Sequence, residues 1–288
     1  MKLSLPSRSK GRPRRNAPEI RRTIISGDWH IPEVDIPTYR AFLNFMRHKR
    51  PDYHIINGDF IDAYELSKFD KDPARLGQTA EELGMAKRIL DELAEASPNT
   101  ITKFLYGNHS DRIRQRILEH PELLPFMTKS KDPNSVLAEA LSLKERGIEW
   151  FSYPDVYSHF GFDIQHGGKG LGGGGQNPSK SAAEKAGGPG VQGHWHRERV
   201  WQVVNRRTDY KFYTLGVMCR LNPTYLPFND WSHSFGYLEQ QVGADRHVFH
   251  SIQVEKGEFM FDGYFYNQDG VFESKQKDYK TRTNQGDI

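Results

Sequence analysis

The chain has 288 residues, enough for a sizeable hydrophobic core in one large domain or two small ones. Its 40 lysines and arginines against 37 acidic residues leave +3, too near balance for a protein that coats nucleic acid or a membrane. A single cysteine, Cys219, excludes an internal disulfide framework and a cysteine-based zinc module, whereas twelve histidines are many for this length.

The charge is unevenly placed. Residues 1–22 hold eight basic side chains and one acid, Glu19, so this stretch is +7 and the rest of the chain is −4. Residues 1–20 also carry Pro6, Gly11, Pro13 and Pro18 and little to bury, which reads as a disordered basic arm. Within it, Lys10-Gly11-Arg12-Pro13-Arg14-Arg15 resembles the Gly-Arg-Pro core of AT-hook peptides, which lie in the DNA minor groove. The arm either contacts DNA or is simply solvated. No run approaches the roughly 18 apolar residues of a membrane span and no signal-peptide core is present, so a soluble, cytoplasmic protein without membrane contact is expected.

Folding is expected over residues 21–266, as one domain. Short apolar runs at Thr23–Ser26, Tyr53–Asn57 and Thr100–Tyr106 are each followed by a Gly-Asp or Gly-Asn step and a helical stretch. Helical spacing predicts helices over Ile36–Arg50 and Leu76–Ala96, a βαβαβ unit of an α/β fold. Further helices are expected at Asp111–Glu119 and at Asn134–Arg146, with Asn134 as N-cap, making 62–146 the helical segment. Strands then follow at Ile148–Ser152, Gly161–Gln165, Arg199–Asn205, Asp209–Leu215, Arg246–Val254 and Glu258–Tyr266, with a hairpin turn at Lys256-Gly257. Between them, the glycine-rich residues 167–190 read as a loop, either a flap over a phosphate or a surface insertion. Residues 267–288 read as a polar tail.

Five motifs stand where apolar runs end: Gly27-Asp28-Trp29-His30, Gly58-Asp59-Phe60-Ile61-Asp62, Gly107-Asn108-His109, Gln165-His166-Gly167 and Gly193-His194-Trp195-His196. Each puts carboxylate, amide or imidazole groups at the expected carboxyl edge of a sheet, where α/β proteins build their sites. In Asp-x-His and His-x-His, alternation places both ligands on one side of an extended chain. Oxygen and nitrogen donors without thiolate suit Mn²⁺, Zn²⁺ or Fe, and less well Mg²⁺.

The ordered set resembles the calcineurin-like metallophosphoesterase superfamily, whose pattern is Asp-x-His, Gly-Asp-x-x-Asp, Gly-Asn-His-(Asp/Glu), His-Gly and Gly-His-x-His. The match spans Thr23 to His196. The resemblance implies a mixed α/β fold, a four-layer α-β-β-α sandwich of two mixed β-sheets flanked by helices. It also implies two divalent metal ions, one held by Asp28, His30 and His196, the other by Asn108, His166 and His194, with Asp59 bridging. A metal-bridging hydroxide would attack phosphorus, His109 would act as general acid on the leaving group, and Asp62 would fix its tautomer.

The chain departs from the family pattern in three places. Ser110 replaces the usual acid after Gly-Asn-His, with Asp111 one place later, and His166-Gly167-Gly168 replaces His-Gly-His. Ala63 stands where protein phosphatases of the family carry arginine, which turns the reading toward phosphodiesters. Arg112 is either a substitute phosphate clamp or a solvated helix residue, and Lys169 is a second candidate for binding substrate. Trp29 and Trp195 either brace the ligands or offer a stacking face. The aromatic stretch Arg220–Tyr237 is cleft wall, subunit contact or satellite core, and in the second case the protein is a homo-oligomer. Competing functions are a DNA or RNA nuclease of the same superfamily, a phosphomonoesterase or protein phosphatase, and an inactive protein-binding scaffold.

Overall fold

The computed structural model describes residues 18–171, 176–223, 226 and 228–274. The AT-hook-like segment, Tyr225 and residues 275–288 of the tail lie outside them, as do four residues at the centre of the glycine-rich stretch.

The parallel strands come first in the chain. β1 (Ile20–Ser26), β2 (Tyr53–Asn57), β3 (Ile101–Leu105) and β4 (Glu149–Phe151) run parallel and side by side. β10 (His233–Gln241) pairs antiparallel with β1, and β11 (His247–Val254) with β10, completing six strands in the order β11-β10-β1-β2-β3-β4. A second sheet follows the order β5-β6-β7-β9-β8, from β5 (Tyr157–His159), β6 (Phe162–Gln165), β7 (Gly190–Gln192), β8 (Arg199–Val204) and β9 (Asp209–Thr214). β12 (Phe259–Phe261), β13 (Tyr264–Asn267) and β14 (Gly270–Glu273) form a small antiparallel sheet.

Side-chain alternation explains how the layers stack. Ile24, Ile56 and Phe104 point to the helix side of the first sheet, where α1 (Ile36–Lys49) and α2 (Thr79–Ala96) bury Phe42, Phe45, Leu90 and Leu93. Their neighbours Ile25, Ile55 and Leu105 point the other way and meet Phe162, Ile164, Val191 and Leu215 of the second sheet and its flank. Burial on both faces is why these strands read as continuous apolar runs. On the far side, α6 (Pro178–Ala186) lays Ala182 and Ala183 on Phe212. The molecule is therefore the expected four-layer α-β-β-α sandwich of two mixed sheets.

Several boundaries differ from expectation. The glycine-rich stretch holds α6, which begins at Pro178 and ends at Gly187 in the left-handed region. The helix expected over Asn134–Arg146 is shortened to α5 (Ser135–Ala140), and Asn134 makes no side-chain cap. The helix expected at Asp111 begins earlier, as α3 (Asn108–Glu119), and the short α4 (Leu124–Met127) follows it. The single strand expected over Glu258–Tyr266 breaks at Asp262-Gly263 into β12 and β13. Part of the presumed tail is β14. Phe235 and Tyr237 of the aromatic stretch lie in core strand β10. Among the described residues no helix is long and apolar enough to cross a membrane.

Two histidines outside the motifs are structural. His54 and His159 are fully buried, with Nε2 2.9 Å from Ser26 Oγ and from Thr23 Oγ1 respectively. Burial pushes His54 down to about 3; burial, together with Arg21 and Lys103, pushes His159 down to about 4. Both stay neutral in the folded state while the unfolded chain takes up protons near pH 6.5. The stabilisation is complete above that pH and is lost as the pH falls. Unfolding free energy is expected to drop by about 2–3 kcal/mol per histidine between pH 7.5 and 4.5. Urea titrations at the two pH values should show a smaller drop for His159→Gln, and an unchanged drop would refute the assignment.

Candidate metal centre

All the motif residues gather where strand ends converge. Asp28 and His30 follow β1, Asp59 and Asp62 follow β2, and Asn108 and His109 open α3 just after β3. From the second sheet, His166 follows β6, and His194 and His196 follow β7. The carboxyl ends of parallel strands from both sheets thus supply one site.

The backbone there is strained. Asp28, His30, Asp59, His194 and His196 all have positive φ, between 43° and 69°, a region that non-glycine residues rarely occupy. Hydrogen bonds hold the turns in place: Asp28 and His30 N–H donate to the carbonyls of Gly58 and Asp59 at 3.1 and 2.9 Å. His194 N–H donates to the Asp28 carboxylate at 3.0 Å, tying the second sheet to the first. His109 N–H donates to Asp59 Oδ1 at 2.8 Å. At Gly107 a Cβ would lie 2.1 Å from Asp59 Oδ1, and at Gly193 2.4 Å from Asp28 Oδ2, so only glycine leaves these carboxylates their places.

Besides the trio His30, Asp62 and His109, which shares His30, the donors form two groups. In one, Asp28, His30 and His196 converge, with His196 Nε2 3.2 Å from Asp28 Oδ1 and 3.1 Å from His30 Nε2. In the other are Asp59, His166 and His194. Asn108 completes it, its Oδ1 lying 3.0 Å from His166 Nε2 and 2.7 Å from His194 Nδ1. His166 Nδ1 is 3.1 Å from the Asn57 carbonyl; donation there frees Nε2 as a donor to metal.

This donor set fits divalent metal. Asp28 and Asp59 are buried, and among the described residues neither forms an ion pair with lysine or arginine; the side chains that face them are imidazoles, beside the backbone N–H groups of His194 and His109. Burying two carboxylates is costly unless cationic partners offset it, and divalent ions between these groups would do so.

The chain matches no family model and no curated protein in sequence. Solved structures resemble it in fold at low identity. One is vacuolar protein sorting 29 from Cryptosporidium parvum, with 15% identity and a TM-score of 0.44 over 88% of this chain and 99% of that one. Another is the Chaetomium thermophilum Vps29, at 12% and 0.44 over 88% of this chain and 100% of the other. A third is PhoD, at 9% and 0.41 over 93% of this chain and 74% of that chain. At this level the likeness says nothing of activity.

His109 stands beside the donors. Its Nδ1 lies 2.9 Å from Asp62 Oδ1 and 2.8 Å from the Asp62 carbonyl, so Nδ1–H donates to Asp62 and Nε2 is turned toward the site. Burial disfavours its charged form, but Asp59 and Asp62 outweigh that and hold its pKa above the ordinary value. Asp62 is itself anchored by Arg75, whose Nη2 donates to Oδ2 at 2.9 Å. Arg75, in the turn Pro73–Arg75, escaped sequence reasoning because no motif marks it.

The two substrate candidates part company. Arg112 is turned inward: Nη1 donates to the Asp62 carbonyl at 2.8 Å, and Nη2 lies 3.0 Å from His109 Nε2. Lys169 instead bonds Asp111 Oδ2 at 3.2 Å and lies over the Tyr153 ring. Asp111, which follows the altered Gly-Asn-His motif, is buried and also binds Arg114 and Gln115. Trp29 is core, packed among Tyr39, Phe42 and Phe60. Trp195 meets the edge of His194, and Trp231 sits 4.2 Å from the His196 ring, so the aromatic stretch does reach the site.

Proposed function

We propose that the chain is a metal-dependent phosphoesterase of the calcineurin-like superfamily, acting on phosphodiesters. One observation carries the reading: two groups of largely buried nitrogen and oxygen donors, whose carboxylates form no ion pair with lysine or arginine among the described residues, lie beside an imidazole whose outer nitrogen faces them. Asp28, His30 and His196 would hold one ion, and Asn108, His166 and His194 the other, with Asp59 shared. Such ions polarise a phosphoryl oxygen and make a nucleophile available at neutral pH.

The protein's own groups do the rest. Asp62 and Arg75 fix His109 with Nδ1–H toward Asp62; Nε2, which accepts from Arg112 in this structure, would take up the proton for the departing oxygen once Arg112 turns to substrate. Arg112, already 3.0 Å from that nitrogen, would turn its guanidinium onto a non-bridging oxygen of the substrate. With Ala63 where a second arginine would stand, a singly charged diester suits the site better than a doubly charged monoester.

Protein supplied with Mn²⁺ is expected to hydrolyse bis(p-nitrophenyl) phosphate with a kcat/KM at least about tenfold above that for p-nitrophenyl phosphate, a transition-state difference of about 1.4 kcal/mol. Faster monoester turnover would overturn the diester preference. No turnover of either under Mn²⁺, Zn²⁺, Fe²⁺ or Mg²⁺ would overturn the enzymatic reading.

A further inference from the structure

A cavity of about 250 Å³ opens between α3 and the loop that follows the turn Tyr64–Leu66. Asn108 and Arg112 line it, and both also belong to the proposed centre. Its outer part is built of Lys68, Phe69 and Arg116, with Glu119 at the rim. At this size it is a subsite rather than a full ligand pocket, which typically measures about 300–1,000 Å³.

The composition points to one kind of occupant. Arg116 stands one helical turn after Arg112, so the two guanidinium groups share a face of α3. Arg116 is held by Glu119 at 2.6 Å, but both are substantially exposed, and such a pair is worth only about 0–1 kcal/mol, little hindrance to an incoming anion. Lys68 is exposed; the Arg116 hydrogen bond and charge, with smaller contributions from Lys68 and His120, hold the Glu119 carboxyl below its ordinary value. Three cations thus face one acid. Phe69 is 79% exposed, an unusual condition for so large an apolar ring, and offers a flat face to a sugar or base.

We infer that this cavity binds the leaving group of the substrate, and that it selects leaving alcohols that carry a second phosphate, as a nucleotide does. The inference rests on the phosphoesterase reading for its orientation. Arg112 lines the cavity and its Nη2 lies 3.0 Å from His109 Nε2, so a group held against Arg112 there would be attached to the oxygen that His109 protonates. Lys68 and Arg116 would grip the second phosphate, and Phe69 would stack on the ring between the two phosphates.

Binding of product-like ligands tests this without turnover. Titration calorimetry would compare thymidine 3′,5′-bisphosphate with thymidine 3′- and 5′-monophosphates, in Mn²⁺ and again in EDTA. The bisphosphate is expected to bind at least about tenfold tighter than either monophosphate, in both buffers, because Lys68 and Arg116 lie outside the donor groups. The double variant Lys68→Ala/Arg116→Ala should bring the ratio to within about twofold. Removing equal charge from the β8–β9 turn, as Arg206→Ala/Arg207→Ala, should leave it intact. Equal affinities in the unaltered protein, persistence of the preference in the first variant, or its loss in the second would each overturn the proposal. Failure of the phosphoesterase reading shows separately, as absent bis(p-nitrophenyl) phosphate hydrolysis while the binding preference stands.

Discussion

Asp59→Asn is expected to lower Mn²⁺ affinity by more than the roughly 10–100-fold seen when an outer partner of a ligand is lost, and to remove most turnover. The substitution is close to isosteric. Oδ1 can still accept the His109 N–H, which now bonds at 2.8 Å, and Gly107 still leaves room for the side chain. What disappears is a buried negative charge that faces His166 at 3.0 Å, with no lysine or arginine ion pair among the described residues. If that charge exists to hold cations, its loss must appear in metal binding before it appears in folding. Binding to the native state alone stabilises by about 2.7 kcal/mol at a hundredfold excess over Kd, which for a protein of this size raises Tm by about 4–5 °C. The unaltered protein should show that rise on adding Mn²⁺ and Asp59→Asn should not, while their melting temperatures in EDTA stay close. Metal analysis showing full Mn²⁺ uptake by the variant would remove Asp59 from the proposed ligand set.

The parts of the molecule legible in the sequence share a physical character. β1, β2 and β3 are buried on both faces, so each is a short apolar run, and each ends in a glycine-led motif that carries polar groups into the site. The candidate site residues could be picked out for the same reason: every proposed ligand lies within a few residues of a strand end. β10 was not, because Ser234, Gly236 and Glu239 interrupt its apolar pattern and its partner β1 lies some 200 residues earlier in the chain. Only tertiary pairing identifies it. The helix α6 was hidden by flanking glycines, although Asn177-Pro178 before an alanine-rich run and Gly187 after it form a start and stop signal. Arg75 and the outward groups Lys68 and Arg116 carry no local signature at all, since their roles depend on where loops are brought by the layers beneath.

Removing the His109 imidazole should separate proton delivery from metal binding. His109→Ala keeps the backbone N–H that holds Asp59 and leaves Asp28, His30, Asn108, His166, His194 and His196 intact, so metal content should be unchanged. Loss of a general acid typically costs about 10²–10⁴-fold, and the cost depends on how much the leaving oxygen needs a proton. A p-nitrophenolate departs as a stable anion and needs little help, whereas a simple alkoxide needs a great deal. For a pair of diesters that differ only in this respect, turnover of the variant should fall about tenfold or less with the p-nitrophenyl ester and about 10³-fold with the alkyl ester. Asp62→Asn should reproduce the pattern more weakly, because the imidazole remains but loses the carboxylate that accepts from Nδ1 at 2.9 Å and is itself braced by Arg75. Equal losses on both esters would mean that His109 stabilises charge on the phosphoryl group rather than protonating the departing oxygen. Loss of metal in His109→Ala would place the histidine among the ligands, a role its Nε2 could fill only by turning away from Arg112.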